Sequence, residues 1–156
     1  MPAVDLWFKN TYWKMYDGLQ VTAEGDTVRA VKVVTWNEPL LRADGLGHVV
    51  FPDCFVLEGF LQMVAMMFMV QENETVATAA LMKVKSARFH RAPRLGDRMI
   101  YEARIRRSGA ILGVAATARL DDGALVAEAD LLEALVPKTE TQPVFASAMR
   151  KAEALL

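Results

Sequence analysis

Apolar and polar positions along this chain repeat with two different periods. Residues 98–107, "RMIYEARIRR", alternate, with Met99, Tyr101, Ala103 and Ile105 on one face and Ile100, Glu102, Arg104 and Arg106 on the other. Period two is the signature of a strand with one face covered. "ILGVAATARL" follows across Ser108-Gly109, and Asp121-Asp122-Gly123 makes a second hairpin turn into "ALVAEADLLEAL". Upstream, "ATAALMKVKSARF" (77–89) reads as a strand joined to the next by the loop "RAPRLGD". Nearer the start, "LQVTA" and the turn "EGD" precede "TVRAVKVVTW" (27–36), whose β-branched run predicts a strand buried on at least one face. Asn37-Glu38-Pro39 ends it, because proline lacks a ladder donor and restrains the residue before it. A glycine-containing loop is expected from there to Phe51.

The period changes at Pro52. This proline suits the first turn of a helix, and Asp53 lies near its positive end. From there to about Val70 the chain is apolar nearly all round, broken by Glu58 and Gln62. These two are four apart and share a face. A helix apolar on most sides is a central one. The expected order is therefore strand, strand, long helix, then four strands in a meander. Such a helix needs a cover and an antiparallel sheet needs one face covered, which predicts an α+β domain with a sheet curled around the helix.

The length of 156 residues fits one domain spanning 1–156. Leu6, Trp7, Phe8, Tyr12, Trp13, Met15 and Tyr16 predict a short helix or an arm over residues 1–17, and "FASAMRKAEALL" a C-terminal helix within 142–156. Eighteen basic and nineteen acidic residues leave a net charge of -1, which supplies no broad field for nucleic acid or an anionic membrane. The longest apolar stretch, "FLQMVAMMFMV", has eleven residues against the roughly 20 a span needs, so no membrane insertion is expected. The N-terminus lacks the pattern of a secretory leader, and the cytoplasm is the expected location. A single cysteine, Cys54, excludes an internal disulfide framework and a cysteine-rich metal site. It reads as a small buried hydrophobe.

Candidate chemistry concentrates in "RADGLGHVVFPDCFVLEGF" (42–60), where Asp44 and His48 lie in a glycine-flanked loop and Glu58 in the apolar helix. An acid on such a helix needs a partner or a cavity. Asp44 next to glycine is also a common turn pair, and His48 a common structural loop residue, so chemical and architectural readings both stand.

Three stretches carry a family resemblance. "VVTWNEPLL" resembles a strand ending in Asn-Glu-Pro; "FPDCFVLEGFLQ" resembles a Pro-Gly-x-x-x-x-Glu-x-x-x-Gln helix start, with Glu58 and Gln62 in register; "ARFHRAPRLGDRMIYEARI" resembles a strand, a Pro-x-x-Gly-Asp loop ending at Gly96-Asp97, and the next strand. In this order they resemble the hot-dog fold 3-hydroxyacyl-(acyl-carrier-protein) dehydratases over residues 20–136. The resemblance implies a loop histidine that takes the α-proton of an acyl thioester and a helix acid, fourteen residues on, that assists departure of the β-hydroxyl as water. Here Glu58 holds the acid's place, Gly47 matches a loop glycine and Asp44 holds the histidine's place, with His48 four residues late. Asp53 also replaces the glycine after Pro52. A second likeness crosses the first: Asp44-Gly-Leu-Gly47-His48-Val49 is similar to the Asp-x-x-Gly-His-Val loop of hot-dog acyl-thioesterases, in which the aspartate is the catalytic carboxylate.

The expected catalytic set is Asp44, Glu58 and His48, with Asp44 as base, possible help from His48, and Glu58 as acid. An aspartate is the weaker base, its ordinary pKa lying about 2.6 below that of histidine. Two carboxyls in one apolar pocket would push one pKa up, allowing Asp44 ionised beside Glu58 protonated. Gly47, Phe51, Cys54, Phe55 and Gln62 are expected at the substrate, Gln62 fixing Glu58 and the amides of Cys54 and Phe55 polarising the thioester carbonyl. Met63, Met66, Met67 and Met69 read as core or as the wall of an acyl tunnel; Arg91, Arg94, Arg104, Arg106 and Arg107 read as a solvated face or a contact for an acidic carrier. The resemblance implies no metal or organic cofactor, an acyl carrier protein or coenzyme A thioester as partner, and a homodimer or a heterodimer with a related hot-dog subunit. Dehydration is the leading expectation; thioester hydrolysis through Asp44 and Glu58 and a silent acyl-binding or partner subunit are the alternatives.

Overall fold

The computed structural model describes residues 15–21, 26–38, 41–70 and 76–137. Most of the expected N-terminal arm and all of the C-terminal helix lie outside the described residues. The elements run β1 (Gly18–Val21), β2 (Thr27–Val33), β3 (Arg42–Ala43), β4 (Val49–Val50), α1 (Asp53–Val70), β5 (Val76–Phe89), β6 (Arg98–Ser108), β7 (Ile111–Leu120) and β8 (Leu125–Pro137). Six strands form one antiparallel sheet in the order β1-β2-β6-β7-β8-β5, and β3 pairs with β4 in a separate two-stranded ribbon. Helix α1 packs against the sheet, which confirms the hot-dog arrangement. No helix among the described residues is long and apolar enough to cross a membrane.

Strand parity builds the core as the alternation requires. Val28 and Ala30 of β2, Met99, Tyr101 and Ala103 of β6, Leu112 and Val114 of β7, and Ala129 and Leu131 of β8 all turn inward and share one core with Val56, Phe60, Met63, Val64 and Met67 of α1. The same parity carries two charged residues inside, Lys32 on β2 and Glu133 on β8.

Three expectations need correction. The last four strands are not a simple meander: β6, β7 and β8 are, but β5 pairs with β8 at the far edge. The edge of β6 that β5 would have used is occupied by β2, with Val31 opposite Ile100. The second strand stops at Val33 rather than running to Trp36. There the chain leaves the ladder, Val34 N–H donating to the Asp97 carbonyl and Gly96 N–H to that of Val34, both at 2.9 Å. Lastly, the segment read as plain loop contains the β3–β4 ribbon. Two-residue strands are too short to show a period.

The seat of α1 is set by a close approach. Gly59 is buried against the ring of Tyr101, and Phe60 meets the same ring edge-on, with centroids 5.5 Å apart. Tyr101 is fully buried, and desolvation, with the nearby charge of Glu38, pushes its hydroxyl well above the ordinary tyrosine range.

Candidate functional site

Asp44 and His48 close the β3–β4 ribbon. Asp44 N–H donates to the His48 carbonyl at 2.8 Å and Gly47 N–H to the Asp44 carbonyl at 3.1 Å, with Gly47 at φ +83°, a conformation that favours glycine. The Asp44 side chain fills the turn. Its Oδ1 accepts from the backbone N–H groups of Leu46 and His48, each at 2.8 Å, and its Oδ2 lies 2.9 Å from His48 Nδ1. The hydrogen bond to the His48 ring, then that to its backbone, holds the Asp44 carboxyl below the usual carboxylate range. Aspartate in a turn readily takes its own downstream amides in this way. Asp44 and His48 are both half-buried.

The ribbon is clamped from the other side by residues 93–97. Leu95 N–H donates to the Val49 carbonyl at 3.1 Å, Phe51 N–H to that of Pro93 at 2.7 Å, and Val50 bridges Arg94. Within the clamp, Asp97 Oδ2 accepts from Arg94 N–H at 2.8 Å, and Gly96 takes φ +90°. The Pro-x-x-Gly-Asp stretch thus forms the mount of the histidine loop. Phe51 is buried, its ring 5.7 Å from that of Phe55, and carries the ribbon directly into α1.

At the helix start, Phe55 N–H already donates to the Pro52 carbonyl at 3.0 Å. Of the two amides expected to polarise a thioester carbonyl, the one at Cys54 is therefore the better placed. Cys54 itself is exposed, not buried: the first turn of α1 turns it outward while Val56 and Phe60 face the sheet. One turn on, Gln62 Nε2 donates to Glu58 Oε1 at 3.0 Å, the partnership that their spacing predicts. Gln62 Oε1 is buried without a hydrogen-bond partner among the described residues. Glu58 is half-buried.

Within one chain Asp44 and Glu58 keep separate partners. Asp44 is paired with His48 and Glu58 with Gln62, and among the described residues no hydrogen bond or ion pair joins the two sets. Met63, Met66 and Met67 belong to the core, while the side chain of Met69 lies outside the described residues. Arg91, Arg94, Arg104, Arg106 and Arg107 are exposed. Two surface grooves of about 290 and 310 Å³ contain none of the expected catalytic or substrate residues; one is lined by Ser86, Thr117, Glu128 and Asp130, the other by Gln20, Arg29, Glu102 and Arg104, the last among the arginines read as a carrier contact.

Two buried charges escaped the sequence reading. Lys32 Nζ sits 2.5 Å from Glu38 Oε1 and 3.9 Å from Asp17 Oδ1. Glu133 has an Oε1 without a partner among the described residues, and burial raises its pKa to about 7. Parity was the available signal: Lys32 is in phase with Val28 and Ala30, and Glu133 with Leu131 and Leu135.

A family model described as FabA-like domain matches residues 10–130. The 3-hydroxyacyl-(acyl-carrier-protein) dehydratase FabZ of Myxococcus xanthus is 35% identical over 117 residues, covering 73% of this chain and 76% of the relative. The dehydratase heterocomplex ApeI:P from Xenorhabdus doucetiae superposes with a TM-score of 0.66 at 15% identity, covering 86% of this chain and 91% of that one. A thioesterase superfamily member from Thermus thermophilus gives 0.60 at 20% identity, with 82% and 93% covered. At those identities the structural likenesses establish the hot-dog fold.

Proposed function

Since the chain belongs to the FabA-like family of hot-dog dehydratases, we propose that it eliminates water from 3-hydroxyacyl thioesters carried on acyl carrier protein, in fatty-acid or polyketide synthesis. The observation that carries this reading is the Glu58–Gln62 hydrogen bond on a helix with one face in the core, Glu58 standing where the resemblance puts the family's acid. In the proposed reaction the Asp44–His48 ribbon removes the α-proton. The Cα–Cβ double bond forms, the Cβ–O bond breaks, and the hydroxyl leaves with a proton from Glu58 as water. The product is a 2-enoyl thioester. General acid–base help of this kind contributes about 10²–10⁴-fold each.

The chain works, on this reading, as a dimer. β5 is an edge strand of fourteen residues whose Leu81, Met82, Val84 and Phe89 are exposed, and long apolar edges of this kind invite strand pairing. A second copy of the chain is the proposed occupant, with a related subunit as the alternative.

Mass spectrometry of 3-hydroxyacyl and saturated acyl thioesters incubated with wild-type protein and Glu58→Gln tests the reading. A loss of eighteen mass units (one water) from the hydroxyacyl thioester, about 10²-fold slower or worse in the variant, supports it. Release of free acid from both thioesters would move the protein to the thioesterases. No change in either would make it a silent subunit.

A further inference from the structure

We propose that His48, not Asp44, is the base of this site, and that Asp44 is a positioning residue that aims the imidazole; the inference rests on the dehydratase reading. Asp44 is poorly suited to take a proton from substrate. Its two oxygens already accept three hydrogen bonds, at 2.8, 2.8 and 2.9 Å. Those donors stabilise the charged form, and a carboxylate so stabilised is a weaker base.

The same bonds decide the state of the histidine. An ionised carboxylate only accepts, so the proton between the two side chains belongs to His48 Nδ1. In the neutral ring this leaves the lone pair on Nε2, the atom on the far side from Asp44. His48 Nε2 has no hydrogen bond among the described residues, and its side chain is 41% exposed. The ring is thus oriented at one nitrogen and open at the other, as a positioned general base requires. Its mount is rigid: the Asp44 carboxylate is fixed by two backbone amides of its own turn, and the strand after His48 is clamped by Pro93 and Leu95. A base displaced four residues along the chain is thereby supplied from within the same ribbon.

The test combines kinetics with a direct reading of the ring. Nitrogen NMR of wild-type protein labelled at histidine should show the Nδ1–H tautomer of His48 near neutral pH. Asp44→Asn keeps an oxygen for the backbone amides but presents an N–H donor to Nδ1, which forces the proton to Nε2. The tautomer should invert, and kcat for dehydration should fall by about 10²–10⁴-fold with little change in KM. His48→Gln should lose activity to a similar degree. If wild type dehydrates but His48→Gln retains its rate while Asp44→Asn does not, Asp44 is the base and the proposal fails with the dehydratase reading intact. An Nε2–H tautomer in wild type overturns it equally. A wild-type chain that turns over neither thioester overturns the dehydratase reading, and the base role falls with it.

Discussion

Gly59 lies so close to Tyr101 that a Cβ added to it would sit 2.9 Å from ring atoms Cε1 and Cζ. The ring has no room to yield, because Tyr101 is fully buried and meets Phe60 edge-on. Gly59→Ala would gain about 1 kcal/mol of helix propensity. The overlap should outweigh it, since overpacking a core costs about 1–3 kcal/mol. Chemical denaturation should therefore show a net loss. Gly59→Ala with Tyr101→Leu should recover stability relative to Tyr101→Leu alone; if it does not, the contact is not what constrains the glycine.

Glu133 makes stability depend on pH with a defined sign. Its carboxyl titrates at about 7 in the fold against 4.5 ordinarily. Below the lower value both folded and unfolded chains hold the proton and no penalty arises. Between the two the unfolded chain releases it first, so stability falls as pH rises, and above the higher value the loss is complete at about 3 kcal/mol. Glu133→Gln removes this dependence. Thermal denaturation of the two proteins should diverge between pH 4 and pH 8, the variant gaining on wild type as pH increases. A constant difference across that range would contradict the assignment.

The buried Lys32–Glu38 pair predicts an asymmetry. Removing one partner strands a charge, so Lys32→Met and Glu38→Leu should each cost about 3–5 kcal/mol. The double variant should be far less damaged than the sum, because neither member of the pair is left without its partner and only the half-exposed Asp17 at the margin loses a distant contact. Urea unfolding of all four proteins measures the coupling, and simple additivity would mean that the pair does not act as one.

Leu81 and Val84 on the edge strand should hold two copies together. Leu81→Lys with Val84→Lys puts charge on that edge, and light scattering should report wild type as a dimer and the variant as a monomer. If wild type is itself a monomer, or if the variant still pairs, the β5 edge is not the contact between copies.

Much of this molecule is legible along the chain because alternation and turn chemistry are local. The inward set Met99, Tyr101, Ala103 and Ile105, the helix after Pro52, and the Glu58–Gln62 contact all follow from spacing alone. Strand neighbours are another matter. Whether β5 lies beside β6 or β8 depends on which edge β2 has taken, a competition between segments far apart in sequence. Bulges after Val76, Leu81 and Val84 then break the parity of β5, so no alternation there could reveal its faces. The same limit governed the site. The residues 42–60 named Asp44, His48 and Glu58, but spacing could not pair them. Only the folded turn, by aiming two backbone amides at one carboxylate oxygen, left the other for the imidazole and kept Asp44 and Glu58 in separate partnerships.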